Sequence, residues 1–340
     1  MNVNCHISGL GVSVPEHTLT NQDLEKIMDT SDEWIVTRTG IKNRHIVQDN
    51  ENISDYAFLA AVKAMDEAKI TPSQITHLLV ATCTPETLSP SMSCIIAQKL
   101  GLSSYSGLQL ISPNSQSLVC FDFNAACSGF VYGLELARAF LALNTDAVIL
   151  LITAECLSRR MNYQDRTTSV LFGDAAGACI IQAKGNALFH VLDVSIGADG
   201  DYKDLIRIGG GTDKKVQVGD SISEDFFLAM QGREVFKQAV RGMEQESLKL
   251  LQKNNLGVED IDLFIAHQAN LRIIEAVRER LGLSEEKVFT NLEKYGNTSA
   301  TSILLAMAEA REQGLFKTGQ KTLLTAFGAG LTWGSALLSS

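Results

Sequence analysis

The chain has 340 residues, of which 45% are apolar and 20% charged, and its formal net charge at pH 7 is −10. That length is sufficient for two domains, or for one large fold with two sub-cores. The acidic balance, without any basic run, argues against nucleic acid as a partner.

Neither a membrane span nor a secretory signal is expected. The longest apolar run, residues 147–152, is far too short to cross a bilayer. Gly9 and Gly11 interrupt the N-terminal segment early, and no basic region precedes an apolar one, so we expect no signal peptide. The seven cysteines show neither close pairing nor CxxC spacing, which favours a reducing compartment over a disulfide framework or a zinc site. We therefore expect a soluble cytoplasmic protein without a metal.

The first half of the chain alternates helical and extended patterns. Residues 58–69 carry apolar side chains at helical spacing, and residues 75–81 form an apolar run typical of a buried strand. A second helix leads to the sequence Lys-Leu-Gly-Leu at 99–102. A long connection, residues 103–117, then precedes the next strand.

Cys127 lies where a buried strand, 117–123, turns into an apolar helix, 129–141. Unpaired backbone N–H groups and the positive end of the helix dipole at such a junction favour a thiolate over a thiol. The small neighbours in Asn-Ala-Ala-Cys-Ser-Gly leave room for a substrate to approach the sulfur. On position alone, Cys127 fits equally well as a buried and inert thiol.

The second half of the chain repeats the order of the first. A helix at 236–252, a strand at 261–266 and the sequence Arg-Leu-Gly-Leu at 280–283 correspond to the first-half pattern. Residues 288–290 and the helix after Asn297 are expected to mirror the strand and helix around Cys127. Continuous apolar strands alternating with helices indicate sheets that are covered on both faces. We predict a duplicated α/β fold, with an N-terminal half at 1–183 that carries the cysteine and a C-terminal half at 184–340.

Two polar residues of the second half lie, like Cys127, at the ends of predicted strands or at the starts of predicted helices. His267 comes directly after the strand at 261–266, and Asn297 lies in a loop that opens a helix. Polar residues at the carboxyl ends of buried strands usually face a ligand crevice. Taken singly, His267 fits a core histidine and Asn297 fits a helix N-cap. Together with Cys127 they supply the nucleophile and the neutral hydrogen-bond donors that acyl transfer through a thioester requires.

Five segments carry a resemblance that covers nearly the whole chain. They are Thr-Ser-Asp-Glu-Trp-Ile-Val-Thr-Arg-Thr-Gly at 30–40, Asn-Ala-Ala-Cys-Ser-Gly at 124–129, His-Gln-Ala-Asn-Leu-Arg at 267–272, Gly-Asn-Thr-Ser-Ala at 296–300 and Thr-Trp-Gly-Ser at 332–335. In this order they resemble the β-ketoacyl-[acyl carrier protein] synthase III family, whose members are the condensing enzymes that start type II bacterial fatty acid synthesis. The resemblance implies a thiolase-like, duplicated five-layer αβαβα fold that works as a homodimer.

The resemblance also implies a two-step reaction. Cys127 would take an acyl group from an acyl-CoA, most simply acetyl-CoA, and malonyl-acyl carrier protein would then lose CO2 and attack the acyl-cysteine. His267 and Asn297 would hold the negative charge on the malonyl thioester oxygen, and the backbone N–H groups of Cys127 and Ala329 would bind the acyl oxygen. Neither a metal nor a redox cofactor is implied, because CoA is a substrate.

The family pattern assigns two further sets of residues to substrate recognition. Trp34 and Arg166 would sandwich the adenine of CoA, since an indole and a guanidinium both stack on a purine. Thr30 and Arg38 would lie near its phosphates, and Asn270 on the pantetheine arm. The alternatives are a packing role for Trp34 and a solvated charge at Arg166. The candidates for docking the acidic carrier protein are Lys237, Arg272, Arg278 and Arg280, of which the last two fit a solvated helix face equally well.

Three features depart from the family pattern and leave the primer open. The connection 103–117 is longer than in typical members. Ser89 lies where many acetyl-specific members of the family have a Phe that closes the acyl pocket. Phe327 is the other residue expected to line that pocket. Ala329 replaces a Gly. A related enzyme that condenses a longer or specialised acyl-CoA in secondary metabolism is therefore the alternative function. A non-catalytic, carrier-protein-binding homologue is a second alternative, which the intact Cys127, His267 and Asn297 oppose.

Overall fold

Helices and strands alternate along most of the protein, for which a computed structural model describes residues 4–102, 118–210 and 226–340. The long connection 103–117 lies outside the described residues. The strands are β1 His6–Ser13, β2 Thr18–Thr20, β3 Asn43–His45, β4 His77–Ala81, β5 Val119–Phe123, β6 Val148–Glu155, β7 Ala175–Gln182, β8 Phe189–Ala198, β9 Ile206–Ile208, β10 Leu228–Met230, β11 Leu263–Ala266, β12 Lys321–Gly328 and β13 Thr332–Ser339. The helices are α1 Asn21–Glu25, α2 Asp32–Thr39, α3 Ile53–Ala68, α4 Met92–Lys99, α5 Gly129–Leu143, α6 Gly232–Lys253, α7 Leu271–Leu281, α8 Leu292–Tyr295 and α9 Ser302–Glu312.

Nine strands form the main sheet, in the order β11-β12-β13-β8-β1-β7-β6-β4-β5. Strands β5, β4 and β6 run parallel, as do β11 and β12, whereas β7, β1, β8 and β13 join their neighbours antiparallel. Strands β1 and β8 share only two residue pairs, His6 with His190 and Ile7 with Phe189. This narrow junction divides the sheet into a five-stranded and a four-stranded portion.

Three helical layers enclose the two portions of the sheet. Helices α3 and α4 cover one face of the five-stranded portion, where Ala57 and Ala60 pack with Leu78. Helices α5 and α9 lie between the two portions, and α6 and α7 cover the outer face of the four-stranded portion. The order helix, sheet, helix, sheet, helix is the five-layer arrangement that the resemblance implied, so that prediction is confirmed.

The burial of strand β6 explains why the sequence shows an unbroken apolar run. Ile149 and Leu151 face the central helices, while Leu150 and Ile152 face α3 and α4. Side chains alternate between the two faces of a strand, and both faces of this strand are covered. The period of two is therefore absent from its hydrophobic pattern.

One predicted strand is much reduced. Residues 288–290 were expected to mirror the strand before Cys127, but Val288 forms only a single parallel bridge, to Phe264.

One helical stretch, Ala126–Leu143, is by length and composition apolar enough to cross a membrane. It forms part of the central layer, in which Phe130, Leu134 and Leu141 are fully buried between the sheets.

Candidate active site

A cavity of about 1120 Å³ is lined by residues from both halves of the chain. Cys127, His267 and Asn297 all line this cavity. Cys127 comes from the turn between β5 and α5, His267 from the end of β11, and Asn297 from the loop before α9. The fold thus brings together three residues that are far apart in sequence.

The Cys127 turn is held tightly from several sides. Residues Ala126–Ser128 form one 3-10 turn, in which Ala126 has a left-handed φ of 45° and its N–H donates to Asn124 Oδ1 at 3.0 Å. Gly328 at the end of β12 approaches so closely that a Cβ there would lie 2.6 Å from the Cys127 backbone nitrogen. Any side chain at Gly328 would push the nucleophile turn out of place.

The thiol of Cys127 does not behave as the sequence predicted. Burial raises its pKa to about 12, and the negative charge of Glu155 adds to that rise, although a hydrogen bond with the Ser299 hydroxyl lowers it. Removing a thiolate from water is unfavourable, and that effect here exceeds the stabilisation available at a helix N-terminus. The expectation of a resting thiolate is therefore wrong, and Cys127 rests as a neutral thiol.

His267 is also neutral, and its hydrogen bonds orient the ring. Burial lowers its pKa to about 3. Its Nδ1 lies 2.7 Å from Ser302 Oγ, which already accepts the Gln268 backbone N–H at 3.2 Å. Among the described residues the Ser302 hydroxyl has no other acceptor, so it donates to Nδ1. The ring proton accordingly lies on Nε2, which is free to donate.

The amide of Asn297 is oriented in a similar way. Its Oδ1 accepts the Ser299 backbone N–H at 2.8 Å, and its own backbone N–H and C=O pair with Leu171 and Gly173 at 2.8 and 3.0 Å. Its Nδ2 is thus the part of the side chain left to donate. The N-cap alternative does not hold, because Thr298 and Thr301 occupy the cap positions of the following turn and of α9.

The predicted CoA residues are only partly assembled around the cavity. Trp34, Arg38 and Asn270 line it, whereas Thr30 and Arg166 do not. The guanidinium carbon of Arg166 lies 5.0 Å from the centre of the Trp34 ring and that of Arg38 lies 4.8 Å from it, so the space expected for an adenine is occupied by cation–π contacts. The Asn270 side chain caps α7 and donates to the Arg38 carbonyl at 3.1 Å.

Of the docking candidates, the structure brings two to the cavity and leaves two away from it. Lys237 and Arg272 line the cavity. Arg278 instead pairs with Glu275 at 2.6 Å, and Arg280 with Glu244 at 2.6 Å, on the far end of α7. Among the described residues, sequence reasoning missed three further basic residues that line the cavity, because isolated charges in a turn, in a short strand or at a helix start carry no periodic signal. These are Lys203, Arg207 and Arg233.

The predicted acyl-pocket residues are separated. Phe327 lines the cavity, as does Ala329, which was predicted to bind the acyl oxygen, but Ser89 does not, and it lies exposed in the segment before α4. Within one protomer, Ser89 therefore cannot close this cavity, and its role in the pocket stays a prediction that depends on a second copy of the chain.

Sequence reasoning also missed a buried carboxyl group behind Cys127. Glu155 ends β6 and is fully buried, which raises its pKa to about 7. The signal available in the sequence was an acidic residue directly after the apolar run 148–154. In the part of the chain that the structure describes, no group of three or more His, Cys, Asp or Glu residues could hold a metal ion.

Comparison with known proteins places this chain in a family. Residues 121–200 match the family described as 3-oxoacyl-[acyl-carrier-protein] synthase III, and residues 251–340 match its C-terminal part. The β-ketoacyl-[acyl-carrier-protein] synthase III of Nitratidesulfovibrio vulgaris strain DP4 is 49% identical over 98% of this chain and 98% of its own length. The chain belongs to the β-ketoacyl-[acyl-carrier-protein] synthase III family.

Solved structures of synthase III proteins agree with this assignment. The enzyme from Aquifex aeolicus superposes with a TM-score of 0.87 at 40% identity, covering 99% of this chain and 100% of that one. The priming β-ketosynthase of the R1128 polyketide pathway superposes with a TM-score of 0.85 at 30% identity, covering 98% and 96%. The protein is thus a condensing enzyme of the acyltransferase class with the thiolase-like fold of the synthase III family.

Proposed function

We propose that this synthase III condenses an acyl-CoA primer with malonyl-acyl carrier protein through an acyl-Cys127 intermediate. The products are a β-ketoacyl-carrier protein, CoA and CO2, and the reaction starts fatty acid biosynthesis. The observation that carries the proposal is that Cys127, His267 and Asn297 line one cavity, and that His267 Nε2–H and Asn297 Nδ2–H have no hydrogen-bond partner among the described residues.

The first half-reaction transfers the acyl group to sulfur. Because burial keeps the Cys127 thiol protonated, its proton leaves as the sulfur attacks the thioester carbonyl, and CoA departs as a thiol. The backbone N–H groups of Cys127 and Ala329 are proposed to bind the carbonyl oxygen as its charge develops. Each such donor contributes about 3–4 kcal/mol to the transition state.

The second half-reaction forms the new carbon–carbon bond. Malonyl-carrier protein loses CO2, and the resulting enolate oxygen is held by His267 Nε2–H and Asn297 Nδ2–H. The enolate carbon then attacks the acyl-Cys127 carbonyl, the bond between the acyl carbon and the Cys127 sulfur breaks, and the sulfur leaves as a thiolate that takes a proton from water to return to the thiol. A pKa of about 3 keeps His267 neutral at physiological pH, so its charge does not vary as the enolate forms.

Substrate recognition uses the mouth of the cavity. Trp34 and Arg166 are proposed to open and hold the adenine of CoA between them, with Thr30 and Arg38 near its phosphates and Asn270 on its pantetheine arm. Among the described residues, six basic side chains line the cavity and suit both the phosphates of CoA and an acidic carrier protein. They are Arg38, Lys203, Arg207, Arg233, Lys237 and Arg272. No resident cofactor is needed, since CoA enters and leaves as a substrate.

The enzyme is proposed to act as a cytoplasmic homodimer without a membrane or nucleic-acid partner. Strand β5 forms one edge of the main sheet, and Val119 at its start is exposed. An open strand edge can pair with a second copy of the same strand. Such pairing would place the exposed segment around Ser89 and Leu88 of one copy near the partner.

An alternative function is the condensation of a longer or specialised acyl-CoA. The small side chain of Ser89 favours it, and so does the likeness to a priming β-ketosynthase of a polyketide pathway. Acetyl-CoA is the primer that we propose, and the experiment below compares it with the others.

The proposal is tested by incubating the enzyme with labelled acyl-CoAs of several lengths and measuring the mass of the protein. An adduct on Cys127 with acetyl-CoA, followed by product formation with malonyl-carrier protein, is expected. Cys127→Ser should abolish the adduct, and persistent labelling of that variant at another cysteine would contradict the choice of nucleophile. An adduct only with branched or aromatic donors would establish the alternative function.

A further inference from the structure

Glu155 is a buried carboxylate for which the proposed reaction has no use. Thr84 Oγ1 donates to its Oε2 at 2.5 Å, the Cys83 backbone N–H donates at 3.2 Å, and the Cys83 thiol donates at 3.3 Å. Ser299 Oγ donates to its Oε1 at 3.2 Å. Every one of these partners is a donor, and no lysine, arginine or histidine in the described residues pairs with the carboxylate. The environment suits a group that accepts protons and hydrogen bonds.

Ser299 connects this carboxylate with the nucleophile. It lines the same cavity as Cys127 and lowers the pKa of that thiol, and its hydroxyl donates to Glu155 Oε1 at 3.2 Å. Its backbone has a left-handed φ of 50°, which is unfavourable for a residue with a side chain and is held here by the hydrogen bond from its N–H to Asn297.

We propose that Glu155 accepts the Cys127 proton through the Ser299 hydroxyl when the acyl group is transferred. This inference rests on the proposed function. As the bond between sulfur and the acyl carbon forms, the thiol proton moves to Ser299 Oγ and the Ser299 proton moves to Glu155. When the bond between the acyl carbon and the CoA sulfur breaks, a proton returns by the same route to that sulfur. CoA then leaves as a thiol, and Glu155 is again a carboxylate.

His267, the other potential base beside the cavity, is a weaker base than Glu155. Burial lowers the pKa of His267 to about 3, whereas burial raises that of Glu155 to about 7. Both values lie below that of the thiol, about 12, so the proton leaves in concert with bond formation and not beforehand. The titratable groups that face Glu155 are the thiols of Cys83 and Cys127, and both remain protonated because burial raises the pKa of each.

The decisive experiment compares acyl-Cys127 formation in single turnover for the wild-type enzyme and Glu155→Gln, on both sides of neutral pH. For the wild type, the rate should rise with pH through the Glu155 pKa, near 7, because only the carboxylate accepts a proton. Glu155→Gln has nearly the same shape but cannot accept one, so its rate should fall by about 100-fold or more and lose this inflection. Ser299→Ala should show the same fall in the acylation rate and the same loss of the inflection.

Thr84→Val is the matched control for altered packing around the carboxylate. It removes a hydrogen bond that lowers the Glu155 pKa, so it should keep the inflection and move it to higher pH. Decarboxylation of malonyl-carrier protein is measured on every variant, because that half-reaction does not remove the Cys127 proton. Glu155→Gln should retain it.

Three results would overturn the relay. The Glu155 charge raises the thiol pKa, so a purely electrostatic role predicts faster acylation in Glu155→Gln. A purely structural role predicts that acylation and decarboxylation fall together, with the inflection kept. Failure of the wild-type enzyme to acylate would instead remove the proposed function, and the relay with it.

Discussion

At the scale of single residues, burial determines the charge of the reacting groups. Cys127 and His267 are both neutral, although a thiolate and an imidazolium would attract each other, because each charged form would lose its hydration inside the cavity wall. A neutral donor at His267 and a thiol that ionises only during attack both suit a decarboxylative condensation. The proton acceptor then has to lie elsewhere, and Glu155 lies within reach.

Arg166 provides a test of CoA recognition. Arg166→Ala removes the guanidinium that lies over Trp34, and we expect the KM for acyl-CoA to rise about 10-fold, the equivalent of one cation–π contact, with little change in kcat. Arg311→Ala is the matched control, since that side chain is about equally exposed and pairs with Glu67. A fall in kcat at unchanged KM would contradict a role for Arg166 in binding.

At the scale of elements, α3 and β1 pack in close contact. A Cβ on Gly9 would lie 2.0 Å from the Ala64 carbonyl oxygen, and one on Gly11 would lie 2.2 Å from that of Ala60. The small residues on this face of α3, including Ala57 and Ala61, let the helix approach the backbone of the strand. The spacing of the first two layers therefore depends on residues that have almost no side chain.

Gly9→Ala tests this contact. The added methyl group forces the helix away from the strand, and we expect the free energy of unfolding to fall by at least about 2 kcal/mol, as measured by urea denaturation. Gly200→Ala is the control, because a Cβ there would meet no atom within 4 Å, and its effect should stay within about 0.5 kcal/mol. Equal losses in the two variants would show that the close contact at Gly9 is not responsible.

At the scale of the whole molecule, the proposed active site draws its residues from both portions of the main sheet, which are joined by only two residue pairs between β1 and β8. The cysteine belongs to the portion of the chain before β8, and the histidine and asparagine belong to the portion after it. The central helices α5 and α9 pack against both portions and hold these residues in register. One edge strand of the main sheet, β5, leads directly into the Cys127 turn. Pairing of this strand with a second copy would therefore affect the proposed active site.

Val119→Lys tests the proposed dimer. A lysine on the strand edge would disfavour pairing with a second copy, and we expect sedimentation to show a shift from dimer to monomer. Leu248→Lys on α6 makes the same change at a residue with nearly the same exposure, 41% against 40%, and should leave the dimer intact. A dimer that persists in Val119→Lys would place the interface elsewhere.

The sequence alone was sufficient for the repeating order of elements and for the three residues of the proposed site. Apolar runs such as 148–154 mark strands that are covered on both faces, and motifs around Cys127, His267 and Asn297 are local in the chain. These features are visible in a sequence because they depend on neighbouring residues and on the periods of strands and helices. The weak strand at 288–290 shows where such patterns fail, since strand pairing depends on distant partners.

Only the tertiary structure decided the charge states, the set of basic residues that line the cavity and the environment of Cys127. Helix-dipole reasoning predicted a thiolate at Cys127, but burial from elements distant in sequence raises the pKa of the thiol. The separation of Lys237 and Arg272 from Arg278 and Arg280 likewise depends on which turns of α6 and α7 face the cavity. The contact of Glu155 with Ser299 joins residues 144 positions apart. Desolvation and long-range contacts are properties of the packed fold, and for that reason no local pattern in the chain contains them.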